Sequence, residues 1–257
     1  MFMTQLEFSA EARLAFASDF HLGAPNYSQS RDRETVINQW LEEVGRNADA
    51  IFLVGDVFDF WFEYKAVVPK GFIRFLGKLA SLADQGIPIH IFHGNHDLWI
   101  KDYLTKEVGA IIHSDPITLV IGQKKMLVGH GDGLGPGDHT YKFLKKVFKN
   151  PVAKFLFHWL HPDIGVGLAN RWSSNSRINN IKKGSEEHQG ENEWLYQYAL
   201  EQEKISHHDY YVFGHRHLPM EMKISENSSY INIGEWVNYK TYGLFEDSKL
   251  QLLTYES

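Results

Sequence analysis

Two hydrophobic rhythms alternate through the first half of this chain. Four runs are short, continuously apolar and end in polar residues: RLAFASD at 13–19, AIFLVGD at 50–56, IPIHIFHGN at 87–95 and KKMLVGHGD at 124–132. Such runs read as buried strands. Between the first three, apolar positions recur at helical spacing. Val36, Ile37, Trp40, Leu41 and Val44 share one face of a helix expected over 31–46, and Phe72, Phe75, Leu76, Leu79, Leu82 and Ala83 share one over 70–84. Buried strands separated by helices predict an α/β sheet. The last third changes character. YYVFGH, MEMKI, SYINIG, TYGLFE and LQLLTY are short β-forming runs mostly separated by turn residues, a β-rich half that completes a two-sheet core.

Residues 140–185 follow neither pattern. They carry nine basic residues (Lys142, Lys145, Lys146, Lys149, Lys154, Arg171, Arg177, Lys182, Lys183) against one acidic residue, Asp163, inside a chain of net charge −6. Phe143, Leu144, Val147, Phe148, Phe155, Leu156, Phe157, Trp159 and Leu160 are interleaved with them. One reading is a solvated basic helical insertion that packs its aromatics on the domain. The other is a helical cap, about 139–188, that meets something both anionic and greasy.

Composition narrows the class. At 257 residues and 43% hydrophobic, the chain can bury a full core as one domain over 1–257. The negative net charge argues against nonspecific nucleic-acid binding. With no cysteine, disulfides, thiolate zinc sites and thiol nucleophiles are excluded. The N-terminal MFMTQLEFSAEARLAF lacks the basic-then-apolar order of a signal peptide, and no run approaches the roughly 20 apolar residues of a spanning helix. A cytoplasmic protein, at most peripheral on a membrane, is expected.

The polar residues that end the strands carry the chemistry. They are Asp19-Phe20-His21, Gly55-Asp56-Val57-Phe58-Asp59, Gly94-Asn95-His96-Asp97, Gly129-His130-Gly131-Asp132 and Gly214-His215-Arg216-His217. Ligands of open α/β sheets sit outside the carboxyl ends of strands. A single Asp there commonly caps a helix and Gly-Asn is a common turn, but five successive strands delivering carboxylate, imidazole or amide to one edge predict a metal centre. Asp19, His21, Asp56, Asn95, His130, His215 and His217 are seven nitrogen and oxygen donors, suited to Mn²⁺, Fe²⁺ or Zn²⁺. Seven are too many for one tetrahedral site and suit two ions sharing a carboxylate.

In that order the five motifs resemble the calcineurin-like metallophosphoesterase superfamily, over residues 19–217. The resemblance implies a four-layer α/β/β/α sandwich of two mixed sheets with a helical cap insertion. It implies that Asp19, His21 and His217 hold one ion, that Asn95, His130 and His215 hold the other, and that Asp56 bridges. His96 would be proton donor or phosphate contact, oriented by Asp97. The reaction class is attack of a metal-activated water on phosphorus; monoesters, diesters and pyrophosphates all remain open.

The stretches GDVFDFW, HGDGLGPGDHTYKFLKKVF, RWSSNSRINNIKKGS and GEWVNYKTYGLFEDSKLQLLTY are similar to the UDP-2,3-diacylglucosamine pyrophosphatases of lipid A biosynthesis. That similarity implies a nucleotide-linked lipid substrate, Mn²⁺, a place on the anionic inner face of the cytoplasmic membrane, and substrate contacts at Asn95, Asp138, Ser176, Asn180, Lys183 and His215. Ser176, Asn180 and Lys183 would share one helix face. The chain departs from that family with His96 where Arg is usual, and at Gly135-Pro136-Gly137. An imidazole can donate a proton to a leaving alkoxide, so a broader phosphodiesterase or phosphatase is the alternative enzyme reading. A membrane-binding module with a vestigial centre is the non-enzymatic one.

Overall fold

The computed structural model describes residues 4–136, 139–169, 171, 173 and 188–256. Among these residues twelve strands form two six-stranded mixed sheets. The first has the order β12-β11-β2-β3-β4-β5, from β2 (Leu14–Ala17), β3 (Ala50–Leu53), β4 (Ile89–Phe92), β5 (Ile111–His113), β11 (Thr241–Glu246) and β12 (Lys249–Thr254). Strands β2 to β5 run parallel, with Ala17 opposite Leu53 and Leu53 opposite Ile91. The second has the order β1-β6-β7-β8-β10-β9, from β1 (Gln5–Phe8), β6 (Ile117–Ile121), β7 (Lys124–Gly129), β8 (Tyr210–Phe213), β9 (Pro219–Ser225) and β10 (Ser228–Ile233).

Alternation within these runs builds the layers. Leu14, Phe16, Phe52 and Phe92 of the first sheet pack against Leu119, Met126, Val128, Val212 and Ile231 of the second. The intervening Ala15, Ala17, Ile51, Leu53, Ile89 and Ile91 face helices α1 (Tyr27–Gly45) and α2 (Ile73–Asp84). Those helices bury Ile37, Trp40, Leu41, Val44, Phe75, Leu79 and Leu82. Leu127, Tyr211 and Phe213 on the outer face of the second sheet cover Leu195, Tyr196 and Ala199. The four layers match the sandwich expected from the motifs.

Element boundaries move for identifiable reasons. The first helix begins four residues before the expected 31, because Asn26 caps it by accepting from Gln29 N at 3.1 Å. Phe72 lies outside the second helix, at φ 56° in the N-cap position. Strands β1, β5 and β6 carry no strand-end chemistry and escape the sequence pattern. The five functional strands are therefore not successive: β5 and β6 intervene between β4 and β7, and the strands belong to two sheets.

The described residues of the stretch expected to form the cap are mostly helical: α3 (His139–Lys149), α4 (Pro151–His158) and α5 (162–169). Aromatics dock it. Phe157 meets Phe62 at 4.7 Å and Trp99 at 4.8 Å between ring centroids, and Trp99 Nε1 donates to Phe148 O at 2.9 Å. Helix α6 (Trp194–Ile205) then leads to β8.

Candidate metal centre

The carboxyl ends of β2, β3 and β4 in one sheet converge with those of β7 and β8 in the other. Backbone bonds stitch the loops together: Asp19 N and His21 N donate to Gly55 O and Asp56 O, each at 3.0 Å, and Gly214 N donates to His130 O at 3.0 Å. Arg33 of α1 donates to the carbonyls of Phe20, His21 and Ala24 at 2.6–2.7 Å, holding the first loop from behind. Arg216 makes a bidentate pair with buried Glu193 at 2.7 and 2.9 Å. That anchor points the two flanking histidines of Gly-His-Arg-His toward the centre.

The backbone is strained where the donors sit. Asp19, His21, Asp56, His215 and His217 all have φ between 43° and 66°, a region costly for residues with a Cβ. Five expected ligands sharing this conformation mark a site that the surrounding structure over-determines. Glycines clear the space: a Cβ on Gly55 would lie 2.5 Å from His130 Nδ1, and one on Gly94 would overlap the backbone and carboxylate of Asp56.

Among the described residues the expected ligands fall into two donor clusters, and Asp56 belongs to both; a third groups His21 with Asp59 and His96. Of the two, one unites Asp19, His21, Asp56 and His217; the other unites Asp56, His130 and His215. Asn95 joins the second, with Oδ1 3.2 Å from His130 Nε2. In the first, His21 Nε2 and His217 Nε2 face each other at 3.1 Å, and Asp19 Oδ1 lies 3.1 Å from His217 Nε2 without hydrogen-bond alignment. In the second, Asp56 Oδ2 is 3.4 Å from His130 Nε2.

Each carboxylate is half tied and half free. Asp19 Oδ2 accepts from Ser18 Oγ at 2.6 Å and His215 N at 3.0 Å, and Asp56 Oδ1 accepts from His96 N at 2.9 Å. The other oxygens, Asp19 Oδ1 and Asp56 Oδ2, are buried without a hydrogen-bond partner. Buried orphan acceptors are expensive. An ion with bonds of about 2.1 Å holds adjacent ligands about 3.0–3.5 Å apart, close to the spacings seen here. The donor set fits two divalent cations.

Electrostatics agree. Burial opposes charging His21, but Asp19, Asp59 and Asp56 outweigh it and push the imidazole up to about 10. His130 is likewise raised to about 10, by Asp56 and Asp19 against its burial. Despite burial, the surrounding imidazoles, His217 foremost for Asp19 and His130 for Asp56, hold both carboxylates below their usual range. His215 falls to about 4, through burial and then His130, and so offers a lone pair. His130 Nδ1 sits 2.8 Å from Val54 O, which fixes the tautomer and leaves Nε2 for a ligand role.

His96 borders the centre, its ring 4.9 Å from that of His21, and burial holds its pKa below the usual value. Its expected orientation by Asp97 is not what the structure shows. Asp97 accepts from the backbone amides of Gly94, Val57 and Phe58 at 2.7–3.4 Å, bracing the loop. His96 Nδ1 instead meets Asp59 O at 3.0 Å and Ser173 Oγ at 3.3 Å. Asp59 is the second acid of Gly55-Asp56-Val57-Phe58-Asp59, so its spacing was a signal; nothing in the sequence singles out Ser173. Asp138, Ser176, Asn180 and Lys183 lie outside the described residues.

A calcineurin-like phosphoesterase family model matches residues 12–219. A protein of Porphyromonas gingivalis, UDP-2,3-diacylglucosamine hydrolase, is 38% identical over 257 residues, covering 95% of this chain and 98% of that one. A protein of the same name from Pseudomonas fluorescens is 30% identical over 173 residues, 66% of each chain. Among solved structures, a phosphoesterase from E. coli has a TM-score of 0.47 at 15% identity, covering 94% of this chain and 92% of that one. With the family match spanning all five motifs, this chain belongs to the calcineurin-like phosphoesterases.

Proposed function

We propose that this chain hydrolyses the pyrophosphate of UDP-2,3-diacylglucosamine, giving UMP and 2,3-diacylglucosamine 1-phosphate. Water is consumed and the bridging P–O bond breaks. The observation that carries the reading is likeness to a hydrolase of that substrate along 95% of the chain, cap included. Asp19, His21 and His217 would hold one ion, Asn95, His130 and His215 the other, and Asp56 both. When bound, two divalent ions, Mn²⁺ by preference, supply Lewis acidity at the phosphoryl oxygens and acidify water.

The chain's own residues do the rest. His96 has Nδ1 committed to Asp59 and Ser173, which leaves Nε2 to meet a phosphate oxygen. Asn95 and His215 border the same space, and Asp138, Ser176, Asn180 and Lys183 complete the substrate contacts we propose. The cap suits the remainder of such a molecule. No residue of α4 is buried, and Phe155, Leu156, Trp159, Ile164 and Leu168 are more than half exposed. A cleft of about 510 Å³ along α3 is lined by Lys142, Lys145, Lys146, Lys149 and Asn150. Greasy side chains flanked by lysines suit acyl chains and an anionic headgroup layer. No helix among the described residues is long and apolar enough to cross a membrane. We place the protein peripherally, on the inner face of the cytoplasmic membrane, and expect salt-sensitive binding to anionic liposomes; no binding at low salt would contradict that placement.

The specific observation favouring a broader phosphodiesterase is His96, an imidazole where an arginine would carry fixed charge. The test compares Mn²⁺-dependent release of UMP from UDP-2,3-diacylglucosamine with hydrolysis of bis-p-nitrophenyl phosphate. Preference for the lipid supports our reading. Good turnover of the simple diester with little of the lipid would replace it with the broader one.

A further inference from the structure

The cap reaches the centre through two carboxylates that are not among the seven ligands. Buried Ser173 follows α5 and donates from Oγ to Asp59 Oδ1 at 3.0 Å. Asp59 lies three residues after bridging Asp56, and its Oδ1 is 3.6 Å from His21 Nδ1. Lys145 of α3 pairs with Asp132 Oδ2 at 2.5 Å and donates to Asp132 O at 2.9 Å. Asp132 is buried two residues after His130. The first donor cluster is thus linked to the cap through Asp59, and Lys145 reaches the loop that follows His130 of the second.

We propose that Ser173 and Lys145 are positioning residues that couple cap placement to metal occupancy; this rests on the two-metal reading above. His21 and its neighbours supply the direction. His21 Nδ1 is buried without a hydrogen-bond partner. An ion on Nε2 fixes the position of the His21 ring, whose Nδ1 faces Asp59 Oδ1 at 3.6 Å. The Asp59 carboxylate then lies between a fixed His21 ring and Ser173 Oγ, while His96 Nδ1 holds the Asp59 backbone carbonyl. The trio His21, Asp59 and His96 has donor atoms close enough to suggest a third ion. The bonds from His96 and Ser173 to Asp59 instead make it the junction between centre and cap. By linkage, a cap that is better held when metal is bound must itself tighten metal binding.

Hydrogen exchange across α3 to α5, with and without saturating Mn²⁺, and Mn²⁺ titration calorimetry test this. In the unaltered protein Mn²⁺ should slow exchange of the cap amides. Ser173→Ala and Lys145→Met together should abolish that Mn²⁺-dependent part and weaken Mn²⁺ binding about threefold or more, the scale of coupling through a network. Ser173→Thr, which keeps the hydroxyl, should restore most of the response to the Ser173→Ala variant. Equal loss of cap protection with and without Mn²⁺ would make these side chains ordinary packing contacts and overturn the proposal, as would an unchanged Mn²⁺ response. Absence of Mn²⁺ binding in the unaltered protein would instead defeat the reading of the centre, and this inference with it.

Discussion

Two groups of buried histidines, one beyond the ends of β2 and β7 and one within β4 and β5, behave in opposite ways. At the carboxyl end of the first sheet and beside it, His21 and His130 are driven up to about 10. Within the sheet, His90 and His113 share a 2.9 Å contact and fall to about 4, by burial foremost. Phe52 stacks on His90 at 4.6 Å and Phe92 on His113 at 4.8 Å. Burial is common to both groups; carboxylates are not. An imidazole among rings stays neutral and serves packing, whereas imidazoles around Asp19 and Asp56 form a site that calls for positive charge. In a chain with 14 histidines, the acidic neighbour separates function from core.

Removing that neighbour breaks the contrast most strongly. Asp19→Asn keeps the shape but deletes the charge. Phosphoesterase activity should fall by at least about a hundredfold, the upper end of losses on removing an outer-shell partner, and Mn²⁺ affinity should fall with it. Gly94→Ala leaves every ligand in the sequence but forces a methyl into Asp56. It should cost about 1–3 kcal/mol of stability and weaken metal binding, as denaturant midpoints and Mn²⁺ titration would show.

The neutral pair sharpens the comparison through pH. His90 and His113 have folded values near 4, below the unfolded value of about 6.5. As pH falls below about 6.5 the unfolded chain takes up protons that the folded chain refuses, so stability is lost between about 6.5 and 4 and the loss then levels off. At about 1.4 kcal/mol per pKa unit, the fall from about 6.5 to about 4 should cost about 3–4 kcal/mol for each imidazole kept neutral by folding. Urea midpoints of chelator-treated protein measure it. The smallest effect expected is on the centre itself: His113→Gln should flatten this slope and leave Mn²⁺ stoichiometry unchanged.

The same contrast explains what was legible in the sequence. All seven expected ligands meet because each is fixed by a strand end and a short motif; spacing alone encodes the edge. The buried strands also read clearly, since Leu14–Ala17 and Ala50–Leu53 are apolar on both faces. Partners set by tertiary packing were not legible. Asp97 stands beside His96 in sequence, yet its carboxylate turns to backbone amides, while Asp59 from another loop and Ser173 from the cap meet the ring. Arg33 of α1 and Glu193, in the N-cap position of α6, also brace the centre, and neither belongs to a strand-end motif.

The central claim is a pair of ions sharing Asp56. Metal content of the purified, Mn²⁺-loaded protein, measured beside Asp56→Ala, tests it most directly. Two ions per chain in the unaltered protein and none retained in the variant is the predicted result. Two ions still bound without Asp56 would contradict the bridging role.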